Sequence, residues 1–198
     1  MLKRFIRVHQ NPWDHTVPDD QLTGLILAVA DRRAEHVARQ FDAGIYARDS
    51  LALAILNPAA PLWQPSSETL LATIAIGPEG ERFVANAIAK AVEHRDHGLP
   101  GGYGVYVDLT QSADGDFCYG YSTQVDGTIG GASGQTELQD ACEAGHALVT
   151  FNYYIREARK KWAEMREAHP HWFCNLDEPG ELYSEMANRP GEIYDGFR

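Results

Sequence analysis

The sequence predicts an α+β protein: an antiparallel sheet with a central hairpin, helices packed mainly on one side, and an extended C-terminal tail. Three observations lead there. Residues 103–121 read as a hairpin, because alternating runs flank the turn Ser112-Ala113-Asp114-Gly115. Two long segments, 20–43 and 136–167, carry apolar residues at helical spacing. The elements follow as helix, strand, helix, hairpin, helix, which suits a sheet with segregated helices better than a doubly wound parallel fold. The expected organisation is a single α+β domain over 1–171 and a tail over 172–198.

Taken in order, residues 1–19 read as irregular chain or a short strand at Phe5, Ile6 and Val8, ending at Pro18. Asp19 and Asp20 are placed to cap the first helix, Leu22, Leu25, Ile26, Val29, Val37 and Phe41 form its stripe, and Gly44 stops it. The run Leu51–Leu56 is compatible with strand or short helix. Pro58, Pro61 and Pro65 make 57–67 a loop, and a loop of that length invites a functional reading. Leu70–Ile76 reads as a strand. Pro78, Glu79 and Glu81 then open a second helix with a stripe of Phe83, Val84, Ile88 and Val92.

The hairpin is expected as a strand over 103–110 and a return strand carrying Phe117, Tyr119 and Tyr121 on one face. Val125-Asp126-Gly127 reads as another turn, with Thr128-Ile129 beginning a short third strand. The long helix then starts near Thr136, and His169-Pro170 ends it. The segment 172–198 mixes aromatics with Pro179, Gly180, Pro190 and Gly191, as a tail laid over this domain or a neighbouring subunit would.

Composition narrows the function classes. With 28 acidic against 17 basic residues the formal net charge is −11, which opposes a nucleic-acid or anionic-membrane partner. Arg156-Glu157-Ala158-Arg159-Lys160-Lys161 is interleaved with acids and reads as a solvated helix face. No apolar run reaches the ~18 residues of a membrane span. The basic N-terminus lacks the apolar core of a secretory signal. The cysteines, Cys118, Cys142 and Cys174, are widely spaced and odd in number, as expected of reduced thiols in a cytoplasm.

The run Gly127-Thr128-Ile129-Gly130-Gly131-Ala132-Ser133-Gly134-Gln135-Thr136-Glu137 is the candidate ligand turn, because backbone without Cβ can approach a ligand closely. It lacks a P-loop ending and the Gly-x-Gly-x-x-Gly register. Thr136 and Gln139 fit a capping box, and Glu137, Asp140 and Glu143 oppose a bound anion. A neutral or cationic ligand, or a purely structural turn, remains. The segment from Thr128 to Asp140, with Ala144-Gly145 following, resembles the closing segment of the GlcG/HbpS-like family. That resemblance implies a small, often oligomeric α+β domain, with haem or small-molecule binding in some members. It also implies pocket backbone at Gly130, Ser133 and Gly134. The long C-terminal extension departs from the family pattern, as does Gln135 where the family carries a second glycine.

Other clusters are weaker. His94 and His97 sit at i and i+3 near a helix end, where two surface histidines and a metal pair are both readings, and no third ligand stands at characteristic spacing. His169, His171 and Cys174 form a second candidate metal cluster. Cys142 and His146 can meet across one helical turn, but Leu138, Leu148 and Val149 favour a buried, inert thiol. Asp108, Asp114 and Asp116 suit the hairpin turn. Tyr103, Tyr106, Phe117, Tyr119 and Tyr121 form sheet core or line an apolar pocket. The expectation is therefore a small-molecule-binding domain with a site at Gly130, Ser133, Gly134, Tyr106 and Tyr119. No metal or named cofactor is assigned, and catalysis is unassigned. The chain is expected to be a homo-oligomer. The competing expectation is a non-enzymatic oligomeric subunit or interaction module using the tail aromatics.

Overall fold

The computed structural model describes residues 2–61, 63–106 and 120–168. The chain runs β1 (Arg4–Val8), α1 (Asp19–Asp42), β2 (Leu51–Leu56), β3 (Leu70–Ile76), α2 (Val84–Asp96), β4 (Gly102–Tyr106), β5 (Tyr121–Val125), β6 (Thr128–Ser133) and α3 (Glu137–Ala168). Short 3-10 turns at Ser66–Glu68 and Gly80–Phe83 precede β3 and α2. The strands form one sheet in the order β1-β3-β2-β6-β5-β4, with every neighbouring pair antiparallel. The α+β reading holds. Met1–Arg159 form one compact unit. A second, Lys160–Arg198, begins inside α3, and its described part is the end of that helix.

The alternation of β2 explains the layering. Leu51, Leu53 and Ile55 point to one face, where they pack with Ile26, Val29 and Val37 of α1 and Leu148 and Phe151 of α3. Ala52 and Ala54 point to the other, against Ala87 of α2. The two long helices thus share the face with large side chains, and the shortest helix takes the face with small ones. The cross-strand rows Phe5–Ala75–Ala52–Ser133 and Arg7–Thr73–Ala54–Gly131–Ser122 make up that second face. Its middle is alanine, glycine, serine and threonine, so α2 comes in close.

Several elements sit differently from the sequence expectation. Pro18 occupies the cap position of α1, and Asp19 and Asp20 lie inside the first turn, where they favour the helix dipole. The run Leu51–Leu56 is strand, fully buried and central. The first hairpin strand is described only to Tyr106, and the expected turn and the positions of Phe117 and Tyr119 lie outside the described residues. Its partner β5 runs Tyr121–Val125, so Val125 belongs to the strand and not to the turn. Asp126 (φ 48) and Gly127 (φ 80) are both left-handed, the geometry of a two-residue β-hairpin turn, and they join β5 to β6. The loop after β2 is tied down by Arg95, whose guanidinium donates to the carbonyls of Gln64 (3.1 Å) and Pro61 (2.6 Å).

Candidate functional site

Most of the glycine run is strand, with a turn at each end. Residues 128–133 form β6, an interior strand between β2 and β5, and only 134–136 connect it to α3. Gly130 and Gly131 are there for packing, whereas Gly127 has open space around it and serves the turn between β5 and β6. A Cβ at Gly131 would lie 2.1 Å from the Ala87 carbonyl oxygen, and one at Gly130 would lie 3.1 Å from both the Ala54 oxygen and Leu148. At Gly134 (φ +143) a Cβ would lie 2.6 Å from the Ser50 carbonyl oxygen. These approaches are made by α2, α3 and β2, so the close backbone contact that suggested a ligand is taken by the protein itself. Gly130, Ser133 and Gly134 are buried, Tyr106 is exposed, and Tyr119 lies outside the described residues.

Around the run lies a closed polar system that periodicity concealed. The buried stripe of α2 is Ala87, Lys90, Ala91 and His94, not the expected Phe83, Val84, Ile88 and Val92, which are half-buried. The β5–β6 ladder ends at Ser122 and Gly131, and the next carbonyl of β6, that of Ala132, accepts from the Lys90 ammonium at 2.7 Å. The same ammonium meets Asp140 Oδ2 at 3.0 Å, and the other Asp140 oxygen accepts from the Gln135 amide at 2.9 Å. Burial pushes the Asp140 carboxyl up, against the pull of Lys90. Gln139 accepts from the Thr136 amide at 3.2 Å, so the glutamine half of the expected capping box is present. Four residues further along α2, His94 holds Ser122 Oγ at 2.5 Å through Nδ1, and burial lowers its pKa. His97 is exposed and turns back to Glu93, so the two histidines do not form a pair, and His94 is no surface residue. Both Lys90 and Ser122 are sealed from solvent, which denies a substrate access to either. The alternatives at His169, His171 and Cys174 lie outside the described residues. Among the described residues no group of three or more His, Cys, Asp or Glu could hold a metal.

On the opposite face, between α1 and α3, the carboxylate of Glu143 is fully buried. It accepts from Tyr46 Oη at 2.7 Å and Arg33 at 3.3 Å, and stands 3.3 Å from His36 Nε2. Burial lowers the His36 pKa despite the attraction of Glu143, and burial followed by the Glu143 hydrogen bond pushes the Tyr46 hydroxyl up. The His36 ring meets His146 edge-on at 6.3 Å. Cys142 is exposed, not buried, and so are Leu138, His146 and Val149, because these residues lie on the outward face of α3. Sequence reading missed Arg33, His36 and Tyr46, since nothing in their spacing marks a partner 97 to 110 residues away.

Among the described residues a groove opens elsewhere. An α-helix is about 10 Å wide and strands are about 4.8 Å apart, so a lone helix cannot cover six strands. α2 lies over β6 and β2, and beyond it a groove of about 290 Å³ is lined by Phe5, Ile6, Arg7, Thr73, Ala75, Glu81 and Val84. Arg7 and Glu81 supply opposite charges, and Thr73 and Ala75 are small. His9 extends this face of β1 and reaches Thr73 Oγ1 at 3.5 Å; partial desolvation, then Arg7, lower its pKa.

Among the described residues the fold is a three-layer α+β arrangement with a closed interior polar network and a groove beside α2. No family model, no curated protein and no solved structure matches the chain. Among the described residues no helix is long and apolar enough to cross a membrane.

Proposed function

We propose that this chain is a small-molecule-binding domain whose ligand occupies the groove beside α2, with a cytoplasmic setting and no catalytic assignment. The carrying observation is the groove itself: it approaches the size of small-ligand sites, about 300 Å³ upward, and places a cation and an anion on its walls around small residues. That lining suits a zwitterion with a short apolar body. Ser133, from the expected site, lies in the row Phe5–Ala75–Ala52–Ser133, two strands or about 10 Å from Ala75. The groove therefore shares its sheet face with the glycine strand. The resemblance of segment 128–145 to GlcG/HbpS-like proteins points the same way.

The test is nuclear magnetic resonance titration of the full chain with free amino acids and betaines. Shifts of the Arg7, Thr73 and Ala75 amides, abolished by Arg7→Glu, are expected. Amides that stay unmoved across the whole panel, with no small molecule in native mass spectra of the purified protein, would overturn the reading.

A further inference from the structure

β1 is an edge strand, and alternate residues of its backbone face outward. The order β1-β3-β2-β6-β5-β4 leaves one side of β1 without a neighbouring strand. The His9 amide donates to the Leu71 carbonyl at 2.8 Å, and the Gly77 amide donates to the Lys3 carbonyl at 2.7 Å. Antiparallel pairing alternates, so Lys3, Phe5, Arg7 and His9 turn their backbone groups toward β3. Arg4, Ile6 and Val8 turn theirs away from it. Among the described residues no backbone group pairs with the amides and carbonyls of these three. Such an edge is a template for another extended chain.

Charge identifies the chain that fits. The protein carries a formal net charge of −11, yet residues 1–13 contain no acid and include Lys3, Arg4 and Arg7. Lys3, Phe5, Arg7 and His9 are exposed along one face of β1. The Lys3 ammonium lies 4.5 Å from the centre of the Phe5 ring, and among the described residues neither Lys3 nor Arg7 is in an ion pair. On the other face Arg4 is held by Asp31, and Ile6 and Val8 pack partly buried against the core. A second copy would bring the same cations to the shared edge, and like charges facing each other across strands destabilise the pairing. An acidic strand gains from the charges that keep a copy away.

We infer that the free edge of β1 takes up an extended acidic peptide segment as a further strand of the sheet. Its main chain bonds the outward amides and carbonyls of Arg4, Ile6 and Val8. Its residues facing Lys3 and Arg7 are acidic, and the one between them, facing Phe5, is aromatic. The residues beside Arg4 and Ile6 are β-branched. The sequence Glu-Val-Tyr-Val-Glu has this pattern: run antiparallel to β1, its tyrosine faces Phe5 and its glutamates face Arg7 and Lys3. The groove lies on the face of β1 and the free backbone at its side, so a small molecule in the groove leaves the edge open.

The test is amide hydrogen exchange of the full chain, read by nuclear magnetic resonance, with that peptide acetylated and amidated at its ends. At millimolar peptide the Arg4, Ile6 and Val8 amides should exchange at least ten times more slowly. The Phe5 and Arg7 amides, already turned to β3, should keep their rates. In the added strand the valine amides point at β1 and the tyrosine amide points away. N-methylation of both valines should therefore abolish the protection, and N-methylation of the tyrosine should preserve it. Lys3→Glu, outside the groove lining, should weaken binding at least threefold, and lysine in place of the facing glutamate should restore it. Free amino acids that shift the Thr73 and Ala75 amides should leave the three edge amides exchanging as before. Unchanged exchange at Arg4, Ile6 and Val8, equal protection by the two methylated peptides, or protection that grows with protein concentration alone would each overturn the inference. The last would show a second copy at the edge.

Discussion

Replacing Gly131 by alanine tests whether the glycine run exists for packing. The new Cβ would start 2.1 Å from the Ala87 carbonyl oxygen and 3.1 Å from both the Ala91 nitrogen and Lys90 Cβ. A carbon–oxygen contact relaxes at about 3.3 Å, so α2 must withdraw by roughly 1 Å. The obstructing atoms are helix backbone and cannot rotate away. Withdrawal also lengthens the bonds that seat α2, from Lys90 Nζ to the Ala132 oxygen at 2.7 Å and from His94 to Ser122 at 2.5 Å. Overpacking alone costs about 1–3 kcal/mol, and loosening a buried ion pair raises the total to about 3 kcal/mol or more. For a chain of this size that is a fall in Tm of roughly 6–12 °C. Thermal and urea unfolding followed by circular dichroism measure it. Gly24→Ala is the control, because nothing lies within 4 Å of a Cβ there. That helical glycine should gain about 1 kcal/mol on substitution. A Gly131→Ala protein that melts within about 2 °C of the parent would refute the packing account and return the run to the list of binding sites.

Three further outcomes follow from the buried polar groups. Lys90→Met leaves Asp140 unpaired in the interior and should destabilise by about 3–5 kcal/mol, whereas Lys90→Met with Asp140→Leu should recover most of the loss, as measured by urea unfolding. His94 has a folded pKa below its ordinary 6.5, so the unfolded chain binds more protons as the pH falls. Its contribution is full above about pH 6.5 and is lost as the pH falls toward the lowered folded value, so stability measured from pH 7.5 to 5.5 should decline, and His94→Gln should make the decline shallower, with His9 and His36 supplying the remainder. Tyr46→Phe removes a buried hydrogen bond to Glu143 and should cost about 1.5–3 kcal/mol. Glu143→Leu strands Arg33 and should cost more; Tm shifts in the opposite order would contradict the geometry.

The parts of the fold legible in the sequence are those set by local pattern. α1 shows most of its stripe (Leu22, Ile26, Val29 and Val37 are buried), its acidic first turn and Gly44, although Pro18 takes the cap and Phe41 is exposed. Asp126-Gly127 announces its turn because both residues tolerate positive φ. Leu51–Leu56 was ambiguous because a strand buried on both faces has no alternation to show. The glycine run misled for a related reason. Its glycines are compatible with a turn, and only the placement of Ala87 above Gly131 and Leu148 beside Gly130 makes them strand residues. The groove was invisible as well. Arg7 and Glu81 are ordinary surface charges in the sequence, and it takes the β1–β3 pairing and the position of α2 to bring them to one opening.

One property of the sheet links what is closed to what is open. Small side chains on the α2 face let that helix descend until its backbone meets Gly131, and the depth is what draws Lys90 and His94 into the interior. A buried ammonium and imidazole are costly unless bonded, and Ala132, Asp140 and Ser122 supply the bonds. The same small residues continue to Thr73 and Ala75, which lie buried under the Gly80–Phe83 turn and the start of α2 and form the floor of the groove that Phe5, Arg7 and Glu81 border. Filling that groove with bulk, as in Ala75→Leu, should therefore compete with a ligand while sparing the Lys90–Asp140 pair, because the two depend on different stretches of one face.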